Sequence, residues 1–301
     1  MISASVSDFR RLVVENPSSR QTSRRGSCVT ILSWLSKLQV IVVEKERLSY
    51  SAAMTENWKP YLCNVNEKLA SILVNLGLRE SVPITSKPWL LWVWVYFQSP
   101  RPDGLSDSTE APTLYKIEDA LRPCVARECQ GILCGRITTE GRREFYFYGE
   151  NKNGFPRAVK EALANFAGYK FDMGEREDPS WNQYLNVLYP SLEDLERIAN
   201  MDLLDKLVER GDVLTVPREV QHWMSFRSEQ SRALFREAAA GTGYGIVGET
   251  ESEGEFPFGI SITRTQSIEQ KLIDQTVIEL LRLCKTFNGD YEGWETPVVT
   301  Q

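Results

Sequence analysis

Ten consecutive residues, Pro88 to Phe97, carry no charge and include three of the eight tryptophans of this 301-residue chain. An apolar run rich in aromatic and β-branched residues predicts a strand over Trp89 to Phe97. Successive side chains of a strand point to opposite faces, so both faces of this one are apolar. Exposed tryptophans would cost roughly 25 cal/mol per Å² of apolar surface. We therefore expect the second face to be covered, first by the chain's own hairpin, connecting segment or second domain, and otherwise by another chain.

A second aromatic strand, Arg142 to Tyr148, alternates in the same way. Aromatic residues on an open sheet face also occur in RNA-recognition domains, where they stack on bases. In that alternative, Trp92, Trp94 and Tyr146 are open to solvent. The pattern lacks the glycines of the RNA-binding motif, so direct RNA binding is the less favoured interpretation.

One order of elements, strand, helix, strand, strand, helix, strand, occurs twice in the sequence. In the first copy, the strand over Trp89 to Phe97 is followed by a helix from Leu114 to about Arg122, where Pro123 is expected to end it. A hairpin turning at Thr139-Glu140-Gly141, a helix from Pro156 and a strand over Tyr169 to Met173 complete this copy.

The second copy follows residue 212. It consists of a strand after Pro217, a helix capped by Ser228 and ended by Gly241, and a hairpin around Glu253-Gly254. A capping box of Ser267 and Gln270 predicts the start of a last helix, and Tyr291 to Val299 closes the copy. We therefore expect an α+β fold with two ferredoxin-like βαββαβ domains in tandem.

Four segments are expected along the chain. Residues 1–53, rich in Ser and Arg, are expected to be a poorly ordered or mis-assigned extension before a true start at Met54. Residues 54–180 form the first domain, which begins with an extra hairpin from Trp58 to Gly77 around Asn66-Glu67. Residues 181–211 form a connector with two short helices, and residues 212–301 form the second domain.

The charge of the chain is unevenly distributed. Residues 1–53 hold 8 of the 35 Lys and Arg and 4 of the 41 Asp and Glu, which leaves 27 basic and 37 acidic residues in the remainder. A body with a net charge of −10 repels nucleic-acid phosphates, so the simpler partner is a basic protein. We expect no membrane partner, because the apolar run from Cys28 to Val43 is too short and too interrupted to span a bilayer.

Cysteine and histidine usage gives little sign of a cofactor. The six cysteines include Cys124, Cys129 and Cys134, whose spacing of five fits no common zinc motif. We expect free thiols in a reducing cytoplasm, and no metal or other cofactor. The only histidine, His222, alternates with apolar residues. We therefore interpret it as a core histidine in preference to a general base.

Other motifs do not predict catalysis. The glycines from Gly241 to Gly248 follow a helix and precede a strand, the reverse of a phosphate-binding loop. The carboxylates Asp290, Glu292 and Glu295 lie near Trp294, but among 41 acidic residues such clusters arise by chance and are usually solvated. We therefore predict no catalytic residue.

Several stretches resemble known families. Trp89 to Phe97, Ser99-Pro-Arg-Pro-Asp-Gly-Leu, Leu114-Tyr-Lys-Ile-Glu-Asp-Ala-Leu and Gly135 to Tyr148 resemble a bacterial domain family of unknown function. Val220-Gln-His-Trp-Met-Ser-Phe and Gly289-Asp-Tyr-Glu-Gly-Trp-Glu-Thr-Pro resemble the regulator of ribonuclease E activity B. That regulator is a small acidic protein which binds the endonuclease and lowers its activity without catalysis of its own.

The resemblance implies a non-enzymatic, protein-binding regulator that modulates an endoribonuclease or another RNA-processing partner. The matching positions give the candidate partner-binding residues, which are His222, Trp223, Arg264, Asp290, Tyr291 and Trp294. The alternative is an enzyme or small-ligand binder with an inter-domain cleft lined by aromatics and carboxylates, for which Tyr184, Tyr189, Asp290 and Glu295 are the candidates. A deep polar cleft containing His222 would favour the alternative, whereas a flat acidic face would favour the regulator.

Overall fold

Two separate antiparallel sheets organise the chain in the computed structural model, which describes residues 2–4, 56–65 and 67–300. With its helices the protein is of the mixed α+β class, as the sequence predicts. Strand β1 (Ile2–Ala4) pairs through its backbone with the last strand of the chain. The remainder of the predicted extension lies outside the described residues.

The first unit is a six-stranded sheet with two helices. Its elements in chain order are β2 (Trp58–Val65), β3 (Lys68–Asn75), β4 (Trp89–Tyr96), α1 (Ala111–Cys129), β5 (Ile132–Thr139), β6 (Arg142–Gly149), α2 (Phe155–Leu163) and β7 (Phe171–Glu177). In space the strand order is β2-β3-β5-β6-β4-β7, and all neighbours are antiparallel. The predicted hairpin is thus confirmed as β2 and β3, which extend the sheet beyond β5.

The second unit is a five-stranded sheet with three helices. Its elements are α3 (Leu192–Glu209), β8 (Arg218–Phe226), α4 (Glu229–Ala240), β9 (Gly245–Glu251), β10 (Phe258–Gln266), α5 (Gln270–Thr286) and β11 (Gly289–Thr296). The strand order is β1-β11-β8-β10-β9. Apolar side chains from all three helices share one core with the apolar face of β8 and β10.

The tryptophan-rich strand β4 lies inside the first sheet, between β6 and β7. On one face, Leu91, Val93 and Val95 are fully buried against α1 and α2. On the other face, Leu90 is buried, whereas Trp92 and Trp94 are half-buried. Each face of this strand therefore contributes to a hydrophobic cluster, as its uncharged sequence requires.

The second face of the first sheet is covered mainly by residues 178–189, the cover segment, which includes a π-helical turn (Gln183–Leu188). The ring of Trp181 is completely buried and stacks on Tyr148, with 3.9 Å between ring centroids and 5° between the planes. Tyr184 donates a hydrogen bond to the carbonyl of Asn75 at 2.8 Å. The expectation that the chain covers this face itself is confirmed for this region.

Asp178 fixes the cover segment in place. Its carboxylate accepts hydrogen bonds from the Tyr148 hydroxyl and from the backbone N–H groups of Asn182 and Gln183 at 3.0 and 2.9 Å. Burial alone would raise the pKa of Asp178, but these hydrogen bonds stabilise the charged form and leave the pKa below its usual value. The same carboxylate thus joins strand β6 to the first turn of the cover segment.

The predicted end of the first helix at Pro123 is wrong, because α1 continues through Pro123 to Cys129. A proline inside a helix removes one amide donor and costs about 3 kcal/mol. The residues around it, among them Cys124, Val125 and Cys129, are buried in the core of the first unit. Burial of several such side chains at about 1.5–3 kcal/mol each outweighs that cost.

The two short helices predicted for the connector are also incorrect. The observed elements are the π-helical turn and one continuous helix of 18 residues, α3, which Ser191 caps by accepting the N–H of Asp194 at 3.2 Å. Asn200 lies inside α3, where its side chain bonds to neighbouring elements and does not compete for the helix backbone.

The capping box predicted at Ser267 does not form. The N-cap residue of α5 is Glu269, which makes no side-chain capping bond, and Ser267 donates to the Glu269 carboxylate at 3.2 Å. The Ser228 cap of α4 is confirmed, since its hydroxyl accepts the N–H of Ser231 at 3.1 Å.

Truncation of Trp181 tests the role of the cover segment. Trp181→Ala should lower the free energy of unfolding by about 3–5 kcal/mol, because it leaves a cavity against Tyr148. Urea denaturation and near-UV circular dichroism would measure the change. Val187→Ala, on the same segment at a 40% exposed position, is the matched control and should change stability by less than about 0.5 kcal/mol. Equal effects of the two variants would contradict this role.

Candidate functional site

One face of the second sheet is polar. Along β8, Glu219, Gln221 and Trp223 alternate with the buried Val220 and His222. Residues paired across neighbouring strands share a face. Ser261 pairs with Trp223, and Thr263 and Glu295 pair with Gln221 from either side. Asp290 pairs with Ser225, the next residue of β8 on this face. We call this surface the polar face, and its residues are Glu219, Gln221, Trp223, Ser261, Thr263, Asp290 and Glu295.

Two of the six predicted partner-binding residues lie on the polar face. Trp223 is partly exposed between Ser261 of β10 and Gly293 of β11. Asp290 is also partly exposed and sits near the start of β11. An aromatic ring on a polar face next to carboxylates is suited to contact with a basic protein surface.

The other four predicted residues lie on the helix-covered side of the second sheet. His222, Tyr291 and Trp294 are buried. Arg264 is partly exposed, stacks over the ring of Tyr244 at 4.5 Å and donates to the side chain of Gln266. The structure therefore brings the six residues to one sheet but divides them between its two faces, and their role in partner binding stays a prediction.

His222 is a core residue. Its Nδ1 lies 2.9 Å from the Tyr291 hydroxyl, and no part of the residue is exposed. Burial, with a smaller contribution from the charge of Arg264, lowers the pKa of His222 from 6.5 to about 3. The imidazole is therefore neutral near pH 7 and is enclosed away from any substrate, which agrees with its interpretation as a core histidine.

Trp294 is held by a hydrogen-bond relay that the sequence did not predict. Its indole N–H donates to Oδ1 of Asn200 at 2.8 Å, and Nδ2 of Asn200 donates to Oδ1 of Asp274 at 2.8 Å. The relay links β11, α3 and α5. Neither Asn200 nor Asp274 belongs to a recognisable motif, because a contact between residues 74 positions apart leaves no local pattern in the sequence.

A groove of about 270 Å³ lies between the two units, and Asp274 is part of its wall. The first unit contributes β2 and β3, and the second unit contributes α3 and the start of α5. The lining residues are Pro60, Tyr61, Leu62, Ser71, Arg197, Ile198, Met201, Gln270 and Asp274. At its edge, Lys59 of β2 forms an ion pair with Asp202 of α3 at 2.6 Å. We call this feature the inter-unit groove.

The residues that the sequence suggested for an inter-domain cleft do not converge. Tyr184 is buried under the first sheet next to Tyr189, with 5.9 Å between their ring centroids. Asp290 and Glu295 lie instead on the polar face of the second sheet. His222 lines neither the polar face nor the inter-unit groove, so the arrangement that would have favoured an enzyme does not occur at these residues.

The three aromatic residues named for base stacking, Trp92, Trp94 and Tyr146, are covered in part or completely. Tyr146 is buried, and Trp94 is half-buried beneath the guanidinium of Arg142, which lies 4.7 Å from the ring centroid. Trp92 lies against Gly174, where an added Cβ would approach the ring to 2.2 Å. The open aromatic face required for RNA stacking is therefore absent from these three positions.

Three further properties concern the described part of the chain alone. Within it, no three His, Cys, Asp or Glu side chains are grouped so as to hold a metal ion. None of its helices is long and apolar enough to cross a bilayer. The five cysteines it contains are free thiols.

Comparison with protein families divides the chain at the same place as the structure. Residues 56–189 match the family of unknown function DUF695. Residues 197–296 match the family described as regulator of ribonuclease activity B. The chain thus contains one stretch similar to each of these two families. The resemblance predicted from the sequence is thereby confirmed in both halves.

Other comparisons add little. No curated protein matches the chain. One similar solved structure is an unknown protein from Galdieria sulphuraria, at 12% identity and a TM-score of 0.19, with 70% of this chain and 99% of that chain covered. Another is a putative glycine cleavage system transcriptional repressor, at 10% identity and a TM-score of 0.21, with 71% and 98% covered. At these TM-scores neither structure bears on function.

The buried histidine predicts a specific pH dependence of stability. Its pKa is about 3 in the folded state and near 6.5 when unfolded, so between these values only the unfolded state binds the proton. Stability should therefore fall as the pH decreases through this window, by about 2 kcal/mol between pH 7 and pH 5.

His222→Gln removes this titration and keeps a polar partner for Tyr291. Urea denaturation of both proteins at several pH values should show the wild-type advantage shrinking by about 2 kcal/mol from pH 7 to pH 5. Parallel stability profiles for the two proteins would show that His222 does not titrate as its burial requires.

Proposed function

We propose that this chain is a protein-binding regulator that lowers the activity of an endoribonuclease by contact and not by catalysis. The observation that carries the proposal is the match of residues 197–296 to the regulator of ribonuclease activity B. The burial of the only histidine supports a non-catalytic role, because His222 is enclosed in the core. The free thiols support a cytoplasmic location.

We infer that the two units are ferredoxin-like domains in tandem. The strand order β5-β6-β4-β7 in the first unit and β9-β10-β8-β11 in the second support this, because both correspond to second, third, first and fourth strand of a βαββαβ unit. The proposed boundaries of the βαββαβ domains are residues 54–180 and 212–301, and residues 181–211, which include α3, connect them.

The polar face is the proposed contact surface of the second unit. Trp223 provides a large, partly exposed ring, and such residues dominate the binding energy of protein interfaces. Glu219, Asp290 and Glu295 surround it with negative charge. His222, Tyr291 and Trp294 then act indirectly, because they hold the sheet in shape from its other side.

Charge supports a basic protein partner. The chain has 41 Asp and Glu against 35 Lys and Arg, and the excess is concentrated after residue 53. Opposite charges accelerate association and favour correct partners, and the effect weakens as salt increases. The proposed partner is therefore a positively charged surface on an endoribonuclease of the ribonuclease E type.

A reconstituted cleavage assay tests the proposal. The full chain should lower the rate at which such an endoribonuclease cleaves a fluorogenic single-stranded RNA. Trp223→Ala should weaken binding at least about tenfold, which corresponds to 1.4 kcal/mol. Leu234→Ala, at a 46% exposed position on α4, is the control and should bind as the wild type does.

Two measurements distinguish contact with the endoribonuclease from capture of its substrate. Labelled RNA should not bind the chain alone in fluorescence anisotropy, since sequestration of the substrate would also reduce cleavage. Complex formation should be seen directly by size-exclusion chromatography. An unchanged cleavage rate together with no complex at saturating chain would refute the proposal.

A further inference from the structure

The inter-unit groove combines apolar walls with one carboxylate. Pro60 and Leu62 of β2 line it together with Ile198 and Met201 of α3, and Asp274 of α5 belongs to the same lining. Leu62 is 60% exposed at this position, which is unusual for a leucine next to several other apolar side chains. The groove therefore offers an apolar slot whose two charged side chains are Arg197 and Asp274.

The carboxylate of Asp274 is held in a defined orientation. The indole N–H of Trp294 can only donate, so Oδ1 of Asn200 must face it and the amide nitrogen must face Asp274. Asn200 is buried, and it binds Oδ1 of Asp274 and not Oδ2. Burial raises the pKa of Asp274, as expected for a carboxylate that has lost part of its hydration.

The charges around the groove pair with one another, except for Asp274. Lys59 pairs with Asp202, and Arg197 contacts Asp194 at 2.8 Å. Glu193 is bound by Arg282 at 2.8 Å. In the described part of the chain, no Lys or Arg nitrogen lies within 4 Å of the Asp274 carboxylate. The charge of Arg197 opposes part of the rise in the pKa of Asp274, but the guanidinium itself pairs with Glu193 and Asp194. The carboxylate of Asp274 therefore stays complementary to a further cation.

We propose that the inter-unit groove binds a lysine or arginine side chain of a protein partner, with the methylene stem between Leu62 and Met201 and the charged end at Asp274. Long basic side chains match this chemistry because they carry a cation on an apolar stem. A volume of about 270 Å³ is below the usual range for small-molecule pockets but accommodates one side chain. Because both units line the groove, this contact requires the complete two-unit chain.

The inference rests on the proposed function in one respect, which is that the partner is a protein. Its test does not use a ribonuclease. The probe is the capped peptide acetyl-Leu-Lys-Leu-amide, and its counterpart carries norleucine in place of lysine. Titration into the ¹⁵N-labelled full chain should shift the amide signals of Leu62, Ser71, Ile198 and Met201 to saturation. The norleucine peptide should bind at least about tenfold more weakly, since it lacks the charge.

Three variants complete the test. Asp274→Asn should reduce affinity for the lysine peptide to that of the norleucine peptide, and it can still accept the hydrogen bond of Asn200. Asp205→Asn, on the exposed side of α3, removes the same charge and should bind as the wild type does. Ser71→Phe, on strand β3, should block the groove and abolish both titrations without touching Asp274.

Either of two other outcomes of the titrations would overturn the inference. Equal affinity of the two peptides would show an apolar groove without charge recognition. Signal shifts elsewhere, or none at the solubility limit, would show that the groove does not bind basic side chains. The inference and the proposed function fail separately, because the peptide titration does not involve Trp223 and the cleavage assay does not involve the lysine peptide.

Discussion

The stack of Trp181 on Tyr148 is the contact on which the first unit depends. An inner strand with two apolar faces has to be covered on both sides, and α1 and α2 cover only one. The cover segment supplies the other side and is tied to the sheet by Asp178. Trp181 has φ +57°, a conformation that costs a residue with a Cβ about 1–2 kcal/mol, so its packing has to offset that cost.

Helix α3 joins the two units because it follows the cover segment directly. Near its start, Leu195 packs against the cluster beneath the first sheet, whereas Leu203 and Leu207 belong to the core of the second unit. Lys59 and Asp202 connect the same helix to β2. The inter-unit groove exists as a consequence, since β2 and α5 both lie against α3.

Burial divides the predicted site residues into core residues and partly exposed candidates for partner binding. Trp223 and Trp294 lie on neighbouring strands, but only Trp223 is on the polar face. Trp294 is buried and orients Asn200, which in turn orients Asp274 in the groove. The second unit thus has a solvent-facing polar side, a helix-covered core and a relay from that core to the boundary with the first unit.

The local sequence pattern was sufficient to predict the order of the elements, the α+β class and the hairpin Trp58–Gly77. It also predicted that both faces of β4 have to be covered. It failed where packing overrode it: Pro123 lies inside α1, and α3 is one continuous helix where two short helices were predicted. Alternation along β8 also placed His222 in the core, because strand periodicity is a local property. The relay from Trp294 to Asp274 and the groove were decided by tertiary structure alone, since contacts between residues far apart in the chain depend on how the units pack.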